Sequence, residues 1–284
     1  MKSILGAAVL WGTAGTAGLL ITADSVGVAA ARLVIGGVLL ALLGGKALKS
    51  AIKPGLLLAA LAVAGYQLCF FAAIGRTGVA VGTVVAIGSG PVFTGLLSWL
   101  IHGRAPTRRW ALGTTAAIAG CAALLLGGGA QAVVSGVLLA LLGGLLYAFY
   151  AVMAAKAIGD GASSNAVMGV LFGGAAIVML PVLLWTGVGW LAQPSALLAA
   201  LYLGAGATAL AYVLYGRGLR TTPVATAATL ALAEPGVAAL LGLVVLHESL
   251  TPLSITGLAL LALSLVAVAL PERERDLAQN GLHR

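Results

Sequence analysis

Long apolar runs, each about as long as a membrane-spanning helix, follow one another along the chain and are separated by short polar gaps. A helix rises 1.5 Å per residue, so about 20 apolar residues cross a hydrocarbon core of about 30 Å. Dividing the chain at charges, prolines and glycine pairs predicts ten spans, at residues 3–22, 25–45, 54–75, 79–101, 108–128, 132–155, 164–186, 195–216, 223–246 and 252–270. The sequence therefore predicts an all-α integral membrane protein with ten transmembrane helices.

The composition agrees with lipid as the solvent. Of the 284 residues, 61% are hydrophobic and 8% are charged, whereas soluble domains contain about 45–50% and about 25%. The net charge of +8 comes from basic residues in the gaps between apolar runs, where such residues set the orientation of membrane helices. We expect contact with membrane lipid and no nucleic-acid partner.

The distribution of basic residues predicts the orientation. With a cytoplasmic N-terminus, thirteen of the fifteen lysines and arginines fall in cytoplasmic segments. Arg76 lies on the opposite side, and Arg32 lies within the second span. The positive-inside rule therefore predicts that both termini are cytoplasmic, including a charged tail at residues 272–284.

An internal repeat divides the chain. A shift of 144 residues aligns Arg76 with Arg220 and Pro91 with Pro235 without a gap. The predicted halves are residues 1–130 and 131–271, with five spans each. Because five is odd, the second half enters the membrane in the opposite orientation, and inverted repeats favour a carrier that works by alternating access.

Two charged residues lie inside predicted spans. Glu234 is about 16 Å along the ninth span by the helical rise, too deep to reach bulk water. It lines a substrate path and exchanges a proton there, or it is a structural hydrogen-bond acceptor; both interpretations stay open. Arg32 either anchors the interface, paired with Asp24, or binds a substrate carboxylate.

Pro91 and Pro235 occupy equivalent places in the fourth and ninth spans. Each removes an N–H group and crowds the preceding turn, so we expect kinks that shape or gate a central cavity. The alternative is the general abundance of proline in membrane helices.

Aromatic residues are concentrated in a few spans and predict an amphipathic pocket, because ring faces accept apolar side chains and ammonium groups. An interfacial aromatic belt is the alternative for those near span ends. With Arg32 and Glu234, the candidate substrate-binding residues are Trp11, Tyr66, Gln67, Phe70, Tyr147, Tyr150 and Tyr215.

Three features stand out as a pattern: WGTAG at residues 11–15, Arg32 in the second span, and a motif formed by Glu234, Pro235, Gly242, Glu248, Leu250, Thr251 and Gly257. In this pattern the chain bears a resemblance to the EamA-type carriers of the drug/metabolite transporter superfamily. It implies ten helices and, among bacterial members, export of small metabolites; the chain looks most similar to exporters of aromatic and other amino acids. The first half departs from the motif, with Gly90 and Arg104 in place of the two glutamates.

Motifs for ATP binding, hydrolysis and metal ligation are missing from the sequence, so we expect neither an enzyme nor a cofactor or metal. The prediction is a monomeric secondary transporter of the bacterial inner membrane that exports amino acids as its small-molecule substrates. Two alternatives stay open: an exporter of drugs or other metabolites, and a non-transporting membrane protein that handles lipid-linked intermediates.

Overall fold

The structure is a computed structural model that describes residues 1–103, 105–126, 133–247 and 250–270. The predicted boundary between the halves, the predicted tail at residues 272–284, and the motif residues Arg104 and Glu248 lie outside these ranges. Within them the regular structure is helical, and no strand occurs.

The helices follow one another in a simple order. Those of the first half are α1 (Lys2–Gly12), α2 (Ala14–Gly18), α3 (Ser25–Gly44), α4 (Ala47–Ala51), α5 (Pro54–His102) and α6 (Arg108–Leu126). Those of the second half are α7 (Val134–Gly159), α8 (Ser164–Thr186), a 3-10 turn (Gly189–Ala192), α9 (Pro194–Leu201), a π-helix (Tyr202–Leu210), α10 (Ala211–Leu219), α11 (Val224–Ala231), α12 (Ala233–Val245) and α13 (Pro252–Ala269).

Local sequence signals begin several of these helices. The Asp24 carboxylate accepts hydrogen bonds from the backbone N–H groups of Val26, at 3.0 Å, and Gly27, at 3.1 Å. It thus caps α3, which corrects the alternative in which Asp24 pairs with Arg32. At the start of α13, Pro252 occupies the first turn and the Thr251 hydroxyl accepts from the Ser254 N–H at 3.1 Å.

A glycine divides the longest helix. α5 contains 49 residues, about 73 Å at the ordinary helical rise and more than twice the hydrocarbon thickness. Gly78 leaves the helical conformation with φ 80° and ψ 162°, a region that suits glycine. A β-carbon placed on Gly82 would lie 3.2 Å from the Ile74 nitrogen, so the chain folds back at Gly78 between the third and fourth predicted spans.

Seven helical segments of the described residues are long and apolar enough to cross a membrane: Ser25–Gly44, Pro54–Ile101, Val134–Gly159, Ser164–Thr186, Pro194–Leu219, Val224–Val245 and Pro252–Ala269. They follow the predicted spans closely, and the protein is a multi-pass membrane protein. The first predicted span corresponds to α1 and α2, which are interrupted at Thr13. The fifth corresponds to α6, which is not among the seven segments.

Small residues let these helices approach one another closely. The most extensive contacts join α5 to α7, α3 to α8, and α6 to α13. Where α6 crosses α13, a β-carbon on Gly257 would lie 2.6 Å from the Gly120 carbonyl oxygen, and one on Gly120 would lie 2.8 Å from the Gly257 oxygen. Such backbone contact is how membrane helices gain packing energy without a hydrophobic drive from water.

We expect Gly257→Ala to destabilise the protein, because the added methyl group meets backbone atoms that cannot swing aside. Overpacking of this kind costs about 1–3 kcal/mol, so the thermal unfolding midpoint in detergent should fall by several degrees. The control is Gly15→Ala, where a β-carbon meets no atom within 4 Å. Equal midpoints for the two variants would contradict this account of the crossing.

Candidate functional site

A small cavity lies in the interior where the two predicted halves meet. Its volume is about 60 Å³, and it is lined by Trp11, Arg32, Tyr66, Ala86, Ile87, Tyr147, Tyr150, Tyr212, Ala228, Ala231 and Glu234. These residues come from α1, α3 and both segments of α5 on one side and from α7, α10, α11 and α12 on the other. The cavity thus combines five aromatic side chains with one basic and one acidic side chain.

Six of the nine predicted substrate-binding residues line this cavity: Trp11, Arg32, Tyr66, Tyr147, Tyr150 and Glu234. Gln67, Phe70 and Tyr215 are not part of its lining. Gln67 is buried, with 4% of its surface exposed. Phe70 lies behind Tyr66, with ring centroids 5.9 Å apart, and packs against the cluster of Ala73, Ala86 and Ala140.

Tyr215 supports the cavity wall from behind. Its hydroxyl lies 3.4 Å from that of Tyr147, and its ring lies 5.6 Å from Trp11. A second hydroxyl pair joins Tyr150 to Tyr212 at 3.1 Å. Because a buried hydroxyl needs a hydrogen-bond partner, these pairs fix the rotamers of the cavity tyrosines and link α7 to α10.

Arg32 and Glu234 face the same cavity without a direct ion pair. The salt bridge found among the described residues is the surface pair Lys156–Asp160, at 3.6 Å. Arg32 Nε is buried and has no hydrogen-bond partner. Charged groups inside a membrane protein are costly unless they are paired or hydrated, so this site holds one basic and one acidic side chain that a ligand or water can satisfy.

The position of Glu234 depends on a close contact between α1 and α12. A β-carbon on Gly12 would lie 2.6 Å from Val237 Cβ and 2.8 Å from the Glu234 carbonyl oxygen. Trp11, the preceding residue, contacts Tyr212 with ring centroids 5.1 Å apart. The glycine thus lets α1 bring its tryptophan to the start of α12.

The two prolines behave differently. Pro235 is the third residue of α12 and follows the interruption at Leu232 that separates α11 from α12. Pro91 lies within α5, where Gly78 is the residue with non-helical dihedral angles. An interruption of the helix therefore accompanies Pro235 but not Pro91.

A larger crevice of about 790 Å³ opens on the side of the molecule that carries Met1. It is lined in part by Gly95 and Ser98 of α5 and by Ala225 of α11. Ala228, one helical turn beyond Ala225, lines the central cavity. The crevice therefore leads along α5 and α11 towards the cavity.

Tyr212 was not among the nine candidate residues, and sequence reasoning missed Ala86, Ile87, Ala228 and Ala231 as parts of the cavity wall. Alanine and isoleucine carry no chemical signal of their own in an apolar span. The available signal was indirect, because Ile87 and Ala231 each precede one of the two candidate prolines by four residues.

The fold and site are those of a helical membrane protein built around an internal polar cavity, and the comparisons with known proteins agree. Residues 2–126 and 134–270 each match the EamA-like transporter family. The chain belongs to this family and is a membrane transporter.

One relative of known sequence and one solved structure illustrate the similarity. The chain is 38% identical over 283 residues to a protein named uncharacterized transporter YwfM from Bacillus subtilis (strain 168), covering 97% of this chain and 95% of that protein. A solved protein crystal structure superimposes with a TM-score of 0.82, covering 100% of this chain and 98% of that chain at 20% identity. At 20% identity, the similarity to the solved structure is a similarity of fold.

Cysteine labelling tests the path from crevice to cavity. In a protein with Cys69 and Cys121 replaced by serine, we expect a small methanethiosulfonate reagent to label Ala225→Cys faster than Ala228→Cys. Both should react faster than Ala227→Cys, because Ala227, which is as buried as Ala228, lines neither the crevice nor the cavity. Mass spectrometry gives the rates, and a fast reaction at position 227 would contradict this path.

Proposed function

We propose that the protein is a secondary transporter that exports amino acids, aromatic ones or other neutral ones, by alternating access. The observation that carries the proposal is the presence of Arg32 and Glu234, without a salt bridge between them, in one aromatic cavity. An amino acid carries a carboxylate and an ammonium group close together. The two charges of the cavity match the two charges of such a zwitterion.

The chemistry of each wall supports this substrate class. A guanidinium binds a carboxylate through two parallel, charge-assisted hydrogen bonds. A carboxylate and the faces of tyrosine and tryptophan attract an ammonium group. The remaining aromatic surface accepts an apolar or aromatic side chain, whose burial stabilises the complex by about 25 cal/mol per Å².

The proposed architecture is ten transmembrane helices in two inverted five-helix halves. Seven apolar segments are long enough to cross the membrane, and the turn at Gly78 divides one of them into two crossings. With α1–α2 as one further crossing and α6 as another, the total is ten. The separate family matches at residues 2–126 and 134–270 support two halves. Inverted halves supply the two nearly equivalent states that alternating access requires.

The proposed orientation places both termini in the cytoplasm of a bacterial cell, with the protein as a monomer in the inner membrane. Thirteen of fifteen basic residues then lie in cytoplasmic segments, as the positive-inside rule requires. In this orientation the 790 Å³ crevice faces the cytoplasm. That is the side from which an exporter takes its substrate.

The central cavity must expand during transport. Its volume of about 60 Å³ accommodates a few waters, whereas small-molecule pockets occupy about 300–1,000 Å³. We therefore assign the structure to a contracted stage of the cycle.

Counterflow in proteoliposomes tests the function. With one unlabelled amino acid inside at a time, uptake of a labelled one should be stimulated for several amino acids. Conductance without stimulation would identify a channel. Stimulation only by drugs or by other metabolites would replace the substrate class and leave the carrier mechanism in place.

Arg32→Gln should lower the rate of counterflow at limiting substrate about 10- to 100-fold, because hydrogen bonds to charged groups contribute about 1.5–3 kcal/mol. The matched control is Arg76→Gln, since Arg76 is exposed and donates to the Ala72 carbonyl at 2.9 Å. Equal rates for the two variants would remove Arg32 from the substrate site.

Export down a concentration gradient requires no coupling ion, but a carboxyl group in the cavity is suited to exchange a proton. If Glu234 performs this exchange, wild-type transport depends on pH and Glu234→Gln abolishes that dependence. Asp160→Asn, at an exposed carboxylate, should leave the pH profile unchanged. Normal transport by Glu234→Gln at every pH would contradict the hypothesis that Glu234 exchanges a proton.

A further inference from the structure

The two prolines of the repeat leave equivalent backbone carbonyls without their ordinary donors. In an α-helix each carbonyl accepts from the N–H four residues later, and proline has no N–H. Pro91 therefore leaves the Ile87 carbonyl without this bond, and Pro235 leaves the Ala231 carbonyl without it. Ile87 and Ala231 are themselves related by the 144-residue shift, and both line the central cavity.

A third carbonyl beside the cavity has also lost its usual partner. At the end of α11, the Leu232 N–H donates to the Thr229 carbonyl at 3.0 Å. In a continuous helix that N–H would pair with the carbonyl of Ala228, which lines the cavity together with Ala231. The carboxyl end of α11 thus lies at the cavity wall, and α12 begins at Ala233 directly after it.

Nearby side chains satisfy other carbonyls but not these. The Ser89 hydroxyl donates to Ala86 at 3.2 Å, and the Thr94 hydroxyl donates to Gly90 at 2.7 Å. Among the described residues, no side-chain donor reaches the carbonyls of Ile87 or Ala231. A buried carbonyl without a donor costs free energy, so a ligand that supplies donors is stabilised there.

We propose that the carbonyls of Ile87 and Ala231, with Ala228 beside them, form a subsite that binds the ammonium group of the substrate. An ammonium has three donors, no acceptor and the size of a water molecule, which fits a cavity of about 60 Å³. Glu234, at the start of α12, supplies the opposite charge, and Arg32 is left for the carboxylate. Each half of the repeat contributes one of the two proline-freed carbonyls, so rocking of the halves makes or breaks the subsite.

This inference rests on the proposed function, and replacing the prolines tests it. Pro91→Ala and Pro235→Ala restore the missing N–H groups and return the carbonyls to helical hydrogen bonds. The control is Pro181→Ala, because Pro181 lies within α8 on an exposed face and its carbonyl partner, Ile177, is 75% exposed. The probes are 2-phenylethylamine and its uncharged analogue ethylbenzene, and the readout is the concentration dependence of the thermal unfolding midpoint.

We expect the amine to stabilise the wild type and Pro181→Ala equally. The apparent dissociation constant of the amine should rise about tenfold in Pro91→Ala and in Pro235→Ala, while that of ethylbenzene stays unchanged in all four proteins. If one of the two variants fails to fold, the other is sufficient for the test, because both carbonyls are proposed to bind the same ammonium group.

Three outcomes would overturn the subsite. The first is no binding of the amine to the wild type, and the second is equal binding of the amine to all four proteins. The third is that sodium ions, and not the amine, stabilise the wild type and that this stabilisation is lost when either Pro91 or Pro235 is replaced. The last would identify an inorganic cation as the ligand. Amino-acid counterflow by the wild type is measured separately. Counterflow without an effect of the prolines contradicts the subsite alone, whereas absence of counterflow contradicts the proposed function.

Discussion

Hydrocarbon offers no hydrogen bonds to a peptide group, and this constraint determines the rest of the structure. A chain that crosses the membrane must pair its N–H and C=O groups internally, and this chain does so by forming helices. Departures from helical pairing are therefore expected only where the backbone is buried in protein or lines a cavity. The interruption at Leu232 and the two prolines lie beside the same internal cavity, so at these three places the loss of helical pairing coincides with a position where a ligand can supply hydrogen bonds.

Close packing gives these departures their positions. Gly12 brings α1 against the backbone at Glu234, and the reciprocal contact of Gly120 with Gly257 brings α6 against α13. The tyrosine hydroxyl pairs then connect α7 to α10 on one side of the cavity. Contacts of this kind are short-range and directional, so helices joined by them move as bodies rather than bend, which suits a carrier that rocks between two states.

The sequence predicted the helical class and most span boundaries, because these follow from apolar length. It also singled out Arg32 and Glu234, because charge in lipid is costly, but it left open whether Arg32 faces the interface or the interior. It did not exclude Gln67, Phe70 or Tyr215 from the cavity wall. Helical spacing tells which residues share a face, but the neighbour that covers that face depends on tertiary packing. The cavity alanines were invisible for a further reason: their contribution is a carbonyl group, which every residue carries.

The central claim is that one cavity binds both charges of a zwitterion. Equilibrium competition against a labelled aromatic amino acid, with the purified wild-type protein in detergent, tests it most directly. Analogues that keep the ring and only one charge, the amine or the carboxylate, should each compete at least about tenfold more weakly than the amino acid, since each forgoes one set of charge-assisted hydrogen bonds. Equal competition by either single-charge analogue would contradict the claim, because one of the two charges of the cavity would then take no part in binding.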